Sequence, residues 1–249
     1  MKTIRISAVE LDLLTPATAL VQIKQFLQTP ETKYVLTPNA GQLVSYRENL
    51  KLRNFLLNAN LRLIDGWPLA VAVSLAEGEK WPRVTGSDLL PKLFGDLDSK
   101  VKVGIIGGTD GPSVLTQLKN KFPNLNLVLV NDEIWDETAN NSKKIAELCE
   151  ASNVELLILA LGHPKQELLA EDLSKQKISG LKLVLCFGAS VDFLVGSQKR
   201  APEFLQKIGF EWLYRLLLNP KKFAKRYLLA IWPSLILLVS AIRIRFFKN

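Results

Sequence analysis

Six short apolar, β-branched runs, at 34–36, 61–64, 101–106, 125–130, 154–161 and 181–187, constrain this chain more than any other feature. Several are continuous rather than alternating, so both faces of each need cover, as in strands inside a parallel sheet. Helical patterns lie between them with readable starts: Thr15-Pro16 before 17–27, Gly111-Pro112 before 113–122, His163-Pro164 before 165–175. A proline at the first helical position loses nothing, because its missing N–H would have had no intrahelical partner there. The alternation predicts an α/β fold, a mostly parallel, Rossmann-like sheet flanked by helices. A boundary near 196–202 divides an α/β core, 1–196, from a C-terminal helical appendage, 197–249, whose pattern breaks at Asn219-Pro220 and again at Pro233.

At 249 residues and 48% hydrophobic content, the chain can bury a sizeable core. Cys149 falls in a helical pattern and Cys186 in a strand pattern, which suits core thiols in a reducing compartment and gives no disulfide framework or zinc site. Glu10 and Asp12 interrupt the stretch a cleaved signal peptide would need, so a cytoplasmic protein is expected.

The formal net charge is +8, and its placement matters more than its size. From Lys221 onward the chain carries Lys221, Lys222, Lys225, Arg226, Arg243, Arg245 and Lys248 with no acidic residue, which leaves 25 of the 32 basic side chains against all 24 acidic ones in 1–220. Nucleic-acid binders spread positive charge over a docking face. Here it brackets an uncharged 15-residue run, 228–242, that contains Pro233. That run gives about 22 Å of helix against a hydrocarbon core of about 30 Å, so an in-plane membrane helix is expected rather than a span. Each basic residue near an anionic leaflet contributes roughly 1 kcal/mol. The competing reading is a helix packed on the core or in an oligomer interface.

In a parallel α/β sheet, ligands sit beyond the carboxyl ends of the strands. Polar and glycine signals gather there: Thr37-Pro38-Asn39-Ala40-Gly41, Asp65-Gly66-Trp67-Pro68, Gly107-Gly108-Thr109-Asp110-Gly111, Asn131-Asp132-Glu133, 162–167 and 188–192. Asp65 follows a buried run and precedes Gly66, where backbone can approach a ligand closely; it suits a general base, a cap for the helix near Pro68, or a holder of a sugar hydroxyl. Thr37 and Asn39 can hydrogen-bond a sugar or phosphate, or shape a turn. Arg83 is expected free to face the crevice and a diphosphate, with Ser87 capping the following helix.

The Gly107-Gly108 loop opens a helix, so its N–H groups can receive a phosphate, yet its spacing departs from G-x-G-x-x-G and no G-x-x-x-x-G-K-[ST] loop exists. Gly162-x-Pro164-x-Gln166-Glu167 puts an amide and a carboxylate in a first helical turn, with Gln166 suited to reading a uracil or sugar edge and Glu167 to the positive helix end. His163, the only histidine, has no nucleophile partner in a familiar motif. Asp192, in Gly188-Ala189-Ser190-Val191-Asp192-Phe193, suits nucleotide recognition, with helix capping and a base role as alternatives. Asp96-Leu97-Asp98 has the letters of a metal-holding D-x-D pair but precedes the 101–106 run, away from the crevice. Helix N-termini and cationic side chains can hold a phosphate-bearing group without a metal, and Arg215, Lys222 and Arg226 are placed in sequence to supply that charge.

Taken together, Thr37-x-Asn39, Asp65-Gly66, Arg83-x-x-Gly86-x-Asp88, Gly107-Gly108, the 162–167 motif, and a block holding Arg200-Ala201-Pro202, Glu211-Trp212-Leu213-Tyr214-Arg215 and Lys225-Arg226-Tyr227 resemble the WecG/TagA/CpsF family of bacterial glycosyltransferases. The resemblance implies inverting transfer without metal or other cofactor, from a UDP-sugar to a polyprenyl-diphosphate-linked acceptor at the inner face of the cell membrane. Implied donors carry N-acetylmannosamine, its uronic acid, or a hexose. It further implies a base at Asp65 and an appendage that meets the membrane and helps complete the site; a homo-oligomer is compatible with it. Leu168-Leu169 stands where an aromatic is often seen, Phe204 where tryptophan is frequent, and Lys221-Lys222 where arginines are, which bears on donor identity and the diphosphate clamp. Competing classes are a dinucleotide-dependent oxidoreductase, disfavoured by the glycine spacing, and a membrane-attached nucleotide-binding protein without turnover.

Overall fold

The computed structural model describes residues 1–7, 9–131 and 141–247. All six apolar runs form strands of one parallel sheet, in the order β4 (Leu61–Arg62), β3 (Lys33–Leu36), β8 (Leu183–Cys186), β7 (Leu156–Ala160), β5 (Lys102–Gly107), β6 (Asn126–Asn131). Outside them, β1 (Thr3–Ile6) and β2 (Val9–Asp12) form an antiparallel hairpin. Its buried Asp12 carboxylate accepts the Arg62 backbone N–H at 2.6 Å and the Arg62 guanidinium Nε at 3.3 Å, so the edge strand's exposed donor is satisfied by the hairpin.

Continuous apolar sequence translates into burial on both faces. In β7, Leu156, Ile158 and Ala160 join one core cluster while Leu157 and Leu159 join the other. One face is covered by α1 (Pro16–Phe26), α5 (Gly86–Asp96), α6 (Gly111–Lys121) and α9 (Ser190–Val195). The opposite face carries α2 (Leu43–Glu48), α3 (Leu50–Asn58), α4 (Trp67–Glu77), α7 (Ser142–Ala151) and α8 (Lys165–Ser174) with the hairpin. Cys149 and Cys186 are buried free thiols; burial, with the nearby Glu150 charge, pushes Cys149 up to about 12, and burial with the Glu167 charge raises Cys186 as well.

Local chemistry explains the helix starts. Thr15 closes a capping box with Thr18, and the Asp110 side chain accepts from the Ser113 N–H at 3.2 Å. Helix α5 is capped by Thr85, whose hydroxyl accepts from the Asp88 N–H at 3.1 Å. Ser87, the expected cap, lies inside the first turn and meets the Ser190 hydroxyl at 3.3 Å.

After α9 the chain turns through α10 (Glu203–Lys207) and α11 (Glu211–Leu218) into α12 (Pro220–Phe247). The break at Asn219-Pro220 is present; the expected break at Pro233 is not, because α12 runs through it. An interior proline costs about 3 kcal/mol. Offsetting this, Pro233, Leu237 and Ala241 are buried on the inward side of α12, which packs against α4 and the 3₁₀ turn Ala40–Gln42, and a fully buried leucine alone contributes about 1.5–3 kcal/mol. Leu237 and Ala241 belong to the same core cluster as the hairpin and β3.

Candidate functional site

The strand order reverses between β7 and β5: from β5 the chain moves outward to β6, whereas from β7 it returns toward β8. In sheets of this kind ligands bind beyond the carboxyl ends of the strands at such a switch point. Three groups of the expected residues line this edge.

At the β3/β4 corner, the Thr37 hydroxyl donates to the Cys186 carbonyl at 3.4 Å, and the Asp65 N–H donates to the Pro38 carbonyl at 3.2 Å. A Cβ on Gly66 would lie 3.3 Å from the Asn39 Cβ, and Gly66 has φ +82, so a side chain there would be both strained and crowded. Thr37, Asn39, Asp65 and Gly66 thus share one corner, with Asp65 half-buried in the loop beyond the carboxyl end of β4.

At the centre, cis His163-Pro164 leads from Gly162 into α8. Gln166 and Glu167 are 3% and 2% exposed, so neither presents itself to solvent. The Gln166 amide accepts from the Gly188 N–H at 2.8 Å and donates to Glu167 Oε1 at 2.9 Å and to the Cys186 carbonyl at 3.3 Å. Glu167 Oε2 meets His163 Nδ1 at 3.1 Å. These bonds bind the ends of β7 and β8 into one polar chain. Beyond it, the His163 ring packs edge-on against Tyr46, with centroids 5.4 Å apart. His163 Nε2 and the Tyr46 hydroxyl are buried without a hydrogen-bond partner among the described residues. Burial, with Glu167 and Cys186 nearby, raises the Tyr46 pKa well above the ordinary phenol value.

At the β5 end, Gly107 has φ +90, and a Cβ there would sit 2.8 Å from the Ala160 carbonyl oxygen, so only glycine lets these loops approach. Asp192, 3% exposed, accepts from the Thr109 N–H at 2.8 Å, the Ser197 hydroxyl at 3.1 Å and the Gln198 amide at 3.1 Å. It therefore ties the Gly107-Gly108 loop to the segment that leaves α9. Asp96 and Asp98 are exposed before β5, with Lys24 on Asp96 at 3.3 Å.

The C-terminal helices close over this edge. Arg83, expected free, is paired with Glu211 of α11 at 2.9 Å, and both side chains are largely buried. Arg200 holds Asp88 at 2.7 Å. Burial of Asp88 opposes ionisation, but Arg200, the Thr85 hydroxyl and the Arg83 charge outweigh it and hold the carboxyl below its ordinary range. The Arg215 guanidinium lies over the Phe193 ring at 5.2 Å and the Phe223 ring at 5.0 Å. Gly209 abuts the Trp67 indole. The side chains of Lys222 and Arg226, and residues Asp132 and Glu133, lie outside what the structure describes. Sequence gave no signal for Tyr46, the Arg83–Glu211 and Asp88–Arg200 pairs, or Ser197 and Gln198, whose roles come from contacts distant along the chain.

Among the described residues, fourteen of nineteen exposed large hydrophobic side chains lie from Phe204 onward, eight of them on α12. A surface so apolar meets a membrane or a partner. By length and composition, Phe223–Phe246 is long and apolar enough to cross a membrane.

A doubly wound parallel sheet with polar loops gathered at the carboxyl ends of its strands, closed by helices that share its core, defines an α/β fold of the kind that binds ligands at that edge. Over residues 4–248 the sequence matches the glycosyl transferase WecG/TagA/CpsF family. The chain belongs to that family and is a glycosyltransferase of cell-surface polysaccharide synthesis, using a nucleotide-sugar donor and a sugar acceptor. Members are generally membrane-associated.

Proposed function

We propose that the protein is an inverting, metal-independent glycosyltransferase that moves N-acetylmannosamine, its uronic acid or a hexose from a UDP-sugar to a polyprenyl-diphosphate-linked acceptor. The observation that carries this reading is the corner where Asp65 stands beside Thr37 and Asn39, in the loop beyond the carboxyl end of a buried strand. Asp65 takes the acceptor hydroxyl proton as that oxygen attacks the anomeric carbon. The bond from that carbon to the UDP oxygen breaks on the opposite face, which inverts the configuration. Thr37 and Asn39 orient the sugar hydroxyls.

Negative charge developing on UDP is received by the Gly107-Gly108 loop and the start of α6, with Gly162, Pro164 and Gly188 forming the neighbouring wall. Gln166, Glu167 and Asp192 serve the donor by bracing these loops, a role that their internal hydrogen bonds support. Arg215, with Lys222 and Arg226, supplies the cationic side of the site from the appendage, residues 197–249, which folds over the 1–196 core, while Arg83 of the core holds that appendage through Glu211. The exposed apolar face of α12 lies on an anionic membrane surface in the plane of the interface, since a crossing would strip the buried Leu237 and Ala241 from the core.

The test is Asp65→Asn, isosteric and without a basic carboxylate. Loss of a general base lowers kcat by about 10²–10⁴-fold, while UDP affinity by calorimetry stays within about twofold. Turnover at the wild-type rate removes Asp65 from the base role.

A further inference from the structure

The polar chain behind the β7 and β8 loops starts at two buried atoms with no partner among the described residues, the Tyr46 hydroxyl and His163 Nε2. Tyr46 is 3% exposed on α2, and its ring meets the His163 ring edge-on, with centroids 5.4 Å apart and planes at 64°. The two atoms are chemical complements. A phenol O–H donates, and an unprotonated imidazole nitrogen accepts. One hydrogen bond from Tyr46 to Nε2, direct or across a single water, satisfies both, whereas the reverse polarity leaves the Tyr46 O–H buried and unpaired, which is costly. Burial and the Glu167 charge keep the phenol protonated at neutral pH, so the proton to donate is there.

On its other side the imidazole meets a carboxylate, which only accepts. His163 Nδ1 therefore donates to Glu167 Oε2 at 3.1 Å, and both ring nitrogens are assigned: the proton on Nδ1, the lone pair on Nε2. The consequence lies further along the chain. Glu167 Oε1 accepts from Gln166 Nε2 at 2.9 Å, which turns the amide so that its oxygen takes the Gly188 N–H at 2.8 Å. A flipped amide would set N–H against N–H at Gly188 and oxygen against oxygen at Glu167. The second amide hydrogen goes to the Cys186 carbonyl at 3.3 Å, and the same carbonyl accepts from the Thr37 hydroxyl at 3.4 Å. A chain of bonds thus runs from Tyr46 to both the Gly188 loop and the Asp65 corner.

We propose that His163, held as the neutral Nδ1–H imidazole by the Tyr46 hydroxyl, is a positioning residue that sets the Gln166 amide and through it the Gly188 and Thr37 sides of the site, an inference that rests on the donor reading above. It acts through Gln166 and not on the substrate.

Because His163 is the only histidine, nitrogen NMR of the full-length protein labelled at histidine reads one ring. At neutral pH a protonated Nδ1 and an unprotonated Nε2 are expected, with the Nε2 resonance moving on Tyr46→Phe while Nδ1 stays protonated. His163→Phe keeps a ring against Tyr46 but deprives Glu167 of its donor, and UDP affinity by calorimetry should fall about tenfold. His163→Asn loses the ring yet places an amide N–H near the position of Nδ1, and should bring UDP affinity back to within about threefold of wild type; a role in packing alone predicts the opposite order. Tyr46→Phe removes one hydroxyl and little else, so its NMR readout stands even where His163→Phe folds poorly. An imidazolium, an Nε2–H tautomer, an Nε2 resonance indifferent to Tyr46→Phe, or a His163→Asn variant that binds UDP no better than His163→Phe overturns the proposal. Failure of the donor reading looks different: the ring shows the expected tautomer and shift, yet the wild-type protein binds no UDP, and the positioning role falls with that reading.

Discussion

Replacing Asp192 by Ala probes how the donor loop is held. Its buried carboxylate accepts from Thr109 N–H, Ser197 Oγ and Gln198 Nε2. Hydrogen bonds to a charged group each contribute about 1.5–3 kcal/mol, but removing the carboxylate also removes the cost of burying its charge, so the three do not add. After truncation Ser197 keeps its second bond, to the Asp192 carbonyl at 3.2 Å, and the Gln198 amide keeps the Thr109 hydroxyl at 3.4 Å. The uncompensated loss is one part-buried backbone N–H on Thr109, about 1–3 kcal/mol. For a chain of this size that lowers Tm by roughly 2–12 °C. The Gly107-Gly108 loop loses its anchor too, so the affinity for UDP is expected to fall about tenfold, equivalent to about 1.4 kcal/mol. Asp192→Asn keeps an acceptor for Thr109 and should fall between the two. Thermal denaturation and calorimetry with UDP read both effects. An alanine variant within about 1 °C of wild type and with unchanged UDP affinity would refute the reasoning.

Three further outcomes are expected. In a double-mutant cycle of Arg83→Ala and Glu211→Ala read by thermal denaturation, the pair should couple by about 0.5–3 kcal/mol; purely additive effects would mean that the ion pair does not hold α11 to the core. Because the folded Asp88 pKa lies below its ordinary value, its stabilisation is present above pH 3.8 and lost as pH falls through the depressed value, so Asp88→Asn should lower Tm at pH 7 and make little difference in strong acid; a pH-independent difference contradicts the sign. Replacing Leu228, Ile231 and Leu235 by Ser leaves the buried face of α12 intact and should weaken sedimentation with anionic liposomes at least tenfold, whereas undiminished binding refutes the membrane role of the exposed face.

Much of the architecture was legible because strand burial writes itself into local composition. The runs at 154–161 and 181–187 are apolar without alternation since both faces of β7 and β8 are covered, and Thr15-Pro16 and Gly111-Pro112 mark helix starts through bonds within one turn. The hairpin was harder to read: β1 and β2 are four residues each, and what fixes them is Asp12 on Arg62, fifty positions away. Pro233 misled for a related reason, since its penalty is local while the burial of Leu237 and Ala241 that outweighs it is tertiary.

Which residue types stand at the carboxyl ends of the strands was decided by the sequence alone, because the order of glycines, carboxylates and amides after each apolar run is a property of the chain. Tertiary structure alone decided what those groups do to one another. Gln166 and Asp192 read as ligand-facing in isolation, yet Gly188 and Thr109, brought to them by the sheet order, take up their hydrogen bonds. Arg83 read as a free cation until α11 folded back and set Glu211 against it. Local propensity follows from near neighbours along the chain, whereas the pairing of buried charges depends on which strand ends the sheet places side by side.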